Sequence, residues 1–204
     1  MSHRSMHVSE AVLCLSLLAL GGSASAQTFT FAPGQIPQGN PFNNSSTENV
    51  DFADIDQDGD WDAAFADGGD TNQDQSRLWV NQGFLQGGTI GFFADVTATQ
   101  APVVLLQSRD VEFVDFDQDS DVDLFISNTS SLASQSNHWW TNMGNLQAGT
   151  AGFYQDETST RWVGLGAAGS SIAPSQVLGG GGYIDWSCDS DFGDLDNDGD
   201  LDLV

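Results

Sequence analysis

The sequence predicts an all-β chain of repeated four-stranded units, the pattern of β-propeller blades. Three observations carry this: an internal repeat in fixed register, short strand-like runs between turn residues, and no helical period after the first residues. Asp51-Phe-Ala-Asp-Ile-Asp-Gln-Asp-Gly-Asp-Trp-Asp62 aligns with Glu112-Phe-Val-Asp-Phe-Asp-Gln-Asp-Ser-Asp-Val-Asp123. Leu78-Trp-Val-Asn-Gln-Gly83 aligns with Trp139-Trp-Thr-Asn-Met-Gly144, and Gly91–Thr97 with Gly152–Thr158. Asp54 and Asp115, Asn81 and Asn142, and Phe92 and Phe153 are each 61 residues apart.

In the first unit strands are expected at Asn49–Ala53, Trp61–Ala66, Arg77–Asn81 and Phe92–Thr97. In the second they are expected at Asp110–Val114, Val122–Ser127, His138–Asn142 and Phe153–Thr158. A third copy starts at Asp191-Phe-Gly-Asp-Leu-Asp-Asn-Asp-Gly-Asp-Leu-Asp202. Asp194 lies 79 residues after Asp115 rather than 61, so about 18 residues are inserted. They fall in a Gly/Ser/Ala-rich stretch containing Gly179-Gly-Gly-Gly182. The expected division is a leader over 1–26, an N-terminal segment with one strand over 27–48, repeats over 49–108 and 109–160, the insertion over 161–188, and a shortened third repeat over 189–204.

Arg4, the apolar run Ala11–Leu20 and the small residues Ala24-Ser25-Ala26 read as a secretory signal cleaved before Gln27. The apolar run is too short to span a bilayer, so a soluble, exported product is expected. After cleavage Cys188 is the one cysteine, which excludes an intramolecular disulfide and reads as a small buried hydrophobe. The formal net charge of −25, with no lysine, repels nucleic acid and anionic membrane and attracts cations. Of 25 Asp, 15 lie in three nine-residue windows, a clustering that solubility alone does not require.

Those windows, Asp54–Asp62, Asp115–Asp123 and Asp194–Asp202, place oxygen ligands on alternate residues of a short loop, which suits a hard cation taking six to eight ligands. Carboxylates about 4 Å apart repel by about 1 kcal/mol at water's dielectric and about 4 kcal/mol at an effective value of 20, and a divalent ion reverses the sign. An EF-hand begins with the same spacing but needs Glu at loop position twelve. Phe65 and Ile126 stand there instead, and Asp62, Asp123 and Asp202 occupy position nine.

Asp191–Val204 and the Asn81–Thr97 segment, with its paired aromatics and Asp-Val-Thr ending, resemble the FG-GAP/VCBS repeat family, whose blades are similar to those of the integrin α-chain propeller. The likeness covers about 49–158 and 189–204. It implies a nine-residue calcium loop between the first two strands of each blade, with side-chain oxygens from positions one, three, five and nine and a carbonyl from position seven. In this chain these are Asp54, Asp56, Asp58, the Asp60 carbonyl and Asp62; Asp115, Asp117, Asp119, the Asp121 carbonyl and Asp123; and Asp194, Asp196, Asp198, the Asp200 carbonyl and Asp202. The chain departs from the family at Ser120, which replaces glycine, and in supplying fewer blades than a family propeller.

Catalytic motifs are lacking: there is no G-x-S-x-G, H-E-x-x-H or P-loop, and His138 is the one histidine after the leader. His138 reads as a packing or surface strand residue, and Glu112 as a structural strand position aligned with Asp51. Trp79, Trp139, Trp140, Phe92, Phe93, Phe153 and Tyr154 recur in register and read as core between blades. Trp162 and Trp186 fall outside the register, so a ligand surface is sought there first. The favoured function is a calcium-stabilised extracellular binding or adhesion scaffold without catalysis, recognising a protein or glycan. The other is an accessory propeller fragment of an exported polysaccharide-active enzyme.

Two full units and two strands of a third, even with Phe29–Phe31 added, predict an open ring with unpaired strand edges prone to self-association. Within the second loop, Ser120 stands where Gly59 and Gly199 turn the chain, a position expected to need positive φ. A residue bearing Cβ loses about 1–2 kcal/mol there. The loop at Asp115–Asp123 is therefore expected to bind calcium up to about tenfold more weakly than its neighbours. Replacing Ser120 with Gly should tighten that site in a site-resolved titration; an unchanged or weaker site counts against backbone strain.

Overall fold

The computed structural model describes residues 32, 34–37, 46–69, 73–129, 137–161 and 187–204. The chain divides into two units, Met1–Phe31 and Ala32–Val204. The first unit, with the expected leader and the Phe29–Phe31 strand, lies outside the described residues, as do Trp162, Gly179–Gly182 and Trp186.

The described part of the second unit is mostly β. Strands β1 (Thr47–Ala53), β2 (Asp62–Asp67), β3 (Arg77–Asn81) and β4 (Phe93–Asp95) form an antiparallel sheet in chain order. Strands β5 (Ser108–Val114), β6 (Asp123–Asn128), β7 (His138–Asn142) and β8 (Tyr154–Asp156) form a second with the same order. Strands β9 (Phe192–Gly193) and β10 (Asp202–Leu203) pair antiparallel as a third. The expected strands lie within two residues of these bounds. Register repeats as well: both sheets carry an irregularity near the start of their first strand, between Thr47 and Asn49 and between Ser108 and Asp110. Among the described residues no sheet closes into a barrel, and no helix is long and apolar enough to cross a membrane.

The strands expected to run through Thr97 and Thr158 stop earlier, at Asp95 and Asp156, and single helical turns follow: α1 (Thr97–Gln100) and α2 (Thr158–Arg161). Local side-chain bonds outcompete the ladder here. Asp95 Oδ1 accepts the Thr97 amide at 3.0 Å, and Thr97 Oγ1 accepts the Leu78 amide of β3 at 2.9 Å. The second unit repeats both, from Thr158 to Asp156 and from Trp139 to Thr158, each at 3.0 Å. A threonine hydroxyl thus replaces the strand partner that β3 and β7 lose.

The core lies between the two four-stranded sheets. Ala64, Ala66, Leu78 and Val80 on one face of the first sheet share a buried cluster with Val111, Leu124, Ile126, Trp140 and Tyr154 of the second. In the 61-residue register the second set corresponds to Val50, Ala63, Phe65, Trp79 and Phe93, which alternate with the first set along their strands. One sheet's front therefore meets the next sheet's back, a head-to-tail contact rather than a two-fold one. The second sheet's other face continues the series: Phe125 and Trp139 meet Phe192 edge-on, at centroid separations of 5.5 and 5.9 Å. Asn142 ties the sheets through polar contacts, its Nδ2 donating to the Ile55 carbonyl at 2.9 Å.

The recurring aromatics divide by position. Trp140 and Tyr154 are buried, Trp79 packs tilted on Phe65, and Trp139 sits among Phe116, Phe125 and Phe192. Phe92 and Phe153, expected in the core, are exposed: each sits one residue before its short edge strand, outside the sheet-to-sheet contact. Cys188 is likewise exposed rather than buried, on the segment leading into β9.

Trp140 is 1% exposed, so Trp140→Ala is expected to cost about 3–5 kcal/mol in urea unfolding. Phe153→Ala, at 39% exposure, is expected to cost much less.

Candidate metal centres

Each Asp window forms the connection of a two-stranded hairpin: β1–β2, β5–β6 and β9–β10. The local sequence folds each loop onto its own first carboxylate. Asp54 accepts the amides of Asp58 and Gly59, both at 2.9 Å; Asp115 accepts those of Asp119 and Ser120, both at 3.0 Å; Asp194 accepts those of Asp198 and Gly199, both at 3.1 Å. The sixth position is left-handed in all three, with φ of 98° at Gly59, 76° at Ser120 and 97° at Gly199. Ser120 thus holds the positive φ expected of it. The fourth position is left-handed too, at Gln57, Gln118 and Asn197, and the first two of these reach the next loop. Gln57 Nε2 donates to the Ser120 carbonyl at 3.1 Å and Gln118 Nε2 to the Gly199 carbonyl at 3.2 Å.

Carboxylate oxygens converge in every loop. One oxygen each from Asp54, Asp56 and Asp58 lie within 4.8 Å of one another, as do those from Asp115, Asp117 and Asp123, and from Asp194, Asp196 and Asp202. Asp62, Asp119 and Asp198 stand outside these triads and are hydrogen-bonded nearby. Asp62 Oδ1 accepts the Asn81 amide at 2.8 Å, and Oδ2 accepts the Ile55 amide at 3.1 Å. Asp123 repeats this with Asn142 at 2.8 Å and Phe116 at 3.2 Å. Asp58 and Asp119 accept the amides of Leu85 and Leu146, at 2.9 and 2.8 Å, from the 3₁₀ turns Phe84–Gln86 and Asn145–Gln147.

At position seven the side chains matter as well as the backbone. Asp60 is 6% and Asp121 2% exposed, and all four of their carboxylate oxygens are buried without a hydrogen-bond partner among the described residues. They lie against Gly83 and Gly144, where any Cβ would meet Asp60 Oδ2 or Asp121 Oδ2. Asp200, in the third loop, is exposed. Asp56 Oδ1 and Asp117 Oδ1 are buried and unpartnered too. Burial is the largest influence on the two position-nine acids of the first two loops: it pushes Asp62 up to about 7 and Asp123 up to about 8. Burial, then the neighbouring Asp119 charge, pushes Asp121 up to about 7. Unpartnered, buried, hard oxygen donors clustered in this way fit a hard divalent cation.

Two sets of site residues were not assigned from sequence. Gln86 Nε2 donates to Asp56 Oδ2, and Gln147 Nε2 donates to Asp117 Oδ2 at 2.7 Å. The signal was present, since Leu85-Gln86 and Leu146-Gln147 stand in the same 61-residue register. Arg161 also reaches Asp117, through Nη2 at 3.2 Å, and has no arginine counterpart in the first unit.

No protein-family model matches the chain, and no curated protein matches it significantly.

Outside the loops, Glu112 faces a second group of acids. Burial, followed by the charges of Asp51, Asp110, Asp191 and Asp189, raises it from 4.5 to about 7. A carboxyl raised on folding adds stability that is complete below its ordinary value and lost as pH rises through the raised one. The wild-type protein therefore loses this contribution between about pH 4.5 and 7. Glu112→Gln, which stays neutral, is expected to raise Tm at pH 8 and leave it nearly unchanged at pH 4, read by calorimetry at both values. Equal shifts at the two pH values would contradict this.

Proposed function

We propose that this chain is a calcium-binding, exported repeat protein of propeller-type blades, a binding or adhesion scaffold for an extracellular protein or glycan, with no catalysis of its own. The observation that carries the calcium reading is the buried, unpartnered Oδ1 of Asp56 and of Asp117, each belonging to a converging carboxylate triad. Oxygen-only donor sets suit calcium or magnesium over softer metals. Calcium's tolerance of irregular coordination favours it over magnesium, which demands near-octahedral geometry. The holding residues are Asp54, Asp56, Asp58 and Asp62 in the first loop, Asp115, Asp117, Asp119 and Asp123 in the second, and Asp194, Asp196, Asp198 and Asp202 in the third. The carbonyls of Asp60, Asp121 and Asp200 complete the sets. A bound ion supplies positive charge that cross-links both ends of each hairpin loop.

Support for blades comes from the head-to-tail stacking of sheets with the same strand order, which adds units in one rotational sense. The resemblance to FG-GAP/VCBS repeats points the same way. Export rests on the leader-like first 26 residues.

Saturation at 100 times Kd is worth about 2.7 kcal/mol per site. Millimolar calcium, about the range for extracellular modules, is expected to raise Tm by several degrees and to release heat in calorimetry. EDTA should reverse the shift. The absence of both heat and a Tm shift at that concentration would sink the reading.

A further inference from the structure

We propose that Arg161 sets the affinity of the second loop, acting as a built-in cation that shares Asp117 with the bound ion. This rests on the metal-binding reading above. Arg161 is held from several directions. Its Nε donates to Glu157 Oε2 at 2.9 Å, on the residue just before α2. Its Nη2 donates to Thr141 Oγ1 at 3.2 Å and to Asp117 Oδ2 at 3.2 Å. The guanidinium carbon stands 4.3 Å from the centroid of the Phe116 ring, which belongs to the loop itself. With Gln147 on the same Oδ2, one oxygen of Asp117 is occupied while Oδ1 remains buried and unpartnered. A cation at Oδ1 and the guanidinium at Oδ2 therefore draw on one carboxylate.

The first unit lacks this device. Gln100 stands in the register position of Arg161, and Asp56 Oδ2 is held by the neutral Gln86 alone among the described hydrogen bonds. The partners that hold Arg161 are also particular to the second unit, since Val96, Val80 and Ile55 stand in the register positions of Glu157, Thr141 and Phe116. An ion held at about 2.4 Å from Asp117 lies about 5–6 Å from the guanidinium. One positive charge at that distance from a divalent ion weakens binding about tenfold at water's dielectric.

The test is a calcium titration of the full chain followed through the backbone amide resonances of Gly59 and Ser120. Arg161→Gln is expected to tighten the Ser120 loop about tenfold and leave the Gly59 loop unchanged; Arg161→Lys, which keeps the charge, should stay near wild type. Gln100→Arg installs a positive charge beside the first loop without counterparts of Glu157, Thr141 and Phe116 to hold it, and should weaken the Gly59 loop by a smaller factor, which keeps the proposal testable if Arg161→Gln fails to fold. In EDTA, Arg161→Gln should also melt below wild type, and saturating calcium should narrow the gap. Loops that both bind calcium but ignore these substitutions overturn the role of Arg161 alone. Resonances that respond to calcium in no variant overturn the calcium reading, and this inference with it.

Discussion

The carboxylate of Asp62 accepts one hydrogen bond from Ile55, at the start of its loop, and another from Asn81, at the end of β3. Asp123 does the same for Phe116 and Asn142. Each is fully buried, so the two amides satisfy a group that would otherwise be costly. The bond to the loop fixes the hairpin connection, and the bond to β3 or β7 fixes where the third strand ends. Loop conformation and sheet register are thereby one constraint. The remaining Asp side chains converge because their backbone is pinned at this residue and wrapped around Asp54 or Asp115.

The residue that ends the third strand of the second sheet also joins the two sheets. Asn142 gives its amide to Asp123 and its side chain to the Ile55 carbonyl of the preceding loop. Gln57 and Gln118 extend the chain of contacts along the loop edge, each bonding a carbonyl in the next loop. Apolar burial supplies the bulk of the cohesion between sheets, through Leu78, Trp140 and their neighbours. The polar links add direction, because only one offset between sheets brings these donors and carbonyls together. A head-to-tail interface specified in this way at one edge is specified at every edge that carries the same residues.

Much of this was legible in the sequence because repetition reports on it twice. Strand positions followed from alternation and turn residues, and the register confirmed each strand in two copies. The loops followed from Asp spacing, and positive φ at Ser120 followed from the glycines in the other copies. What escaped was set by contacts between residues far apart in sequence. Gln86 and Gln147 recur in register, but nothing in a lone glutamine says that it will hold a carboxylate thirty residues away. Thr97 and Thr158 read as strand ends because threonine favours strands; their hydroxyls instead bond β3 and β7 and start a helical turn. Phe92 and Phe153 read as core from their recurrence in register, yet each lies one residue before its short edge strand, outside the contact between sheets.

The second unit differs from the first where charge and backbone strain meet. Ser120 accepts a left-handed φ that glycine adopts freely, and Arg161 places a cation on Asp117. On the calcium reading both changes would weaken an ion's hold on the second loop, while their effects on the ion-free protein oppose one another. Strain at Ser120 destabilises the loop whether or not an ion is present. Arg161 offsets part of the repulsion among Asp115, Asp117 and Asp119 in the ion-free protein, and the Phe116 ring beneath it joins that charge to the interface with β9 through Trp139. Its guanidinium is therefore bound to both the loop and the sheet contact. On the calcium reading, Arg161 gives the second loop a resident positive charge that the first loop, with Gln100 in the same register position, lacks.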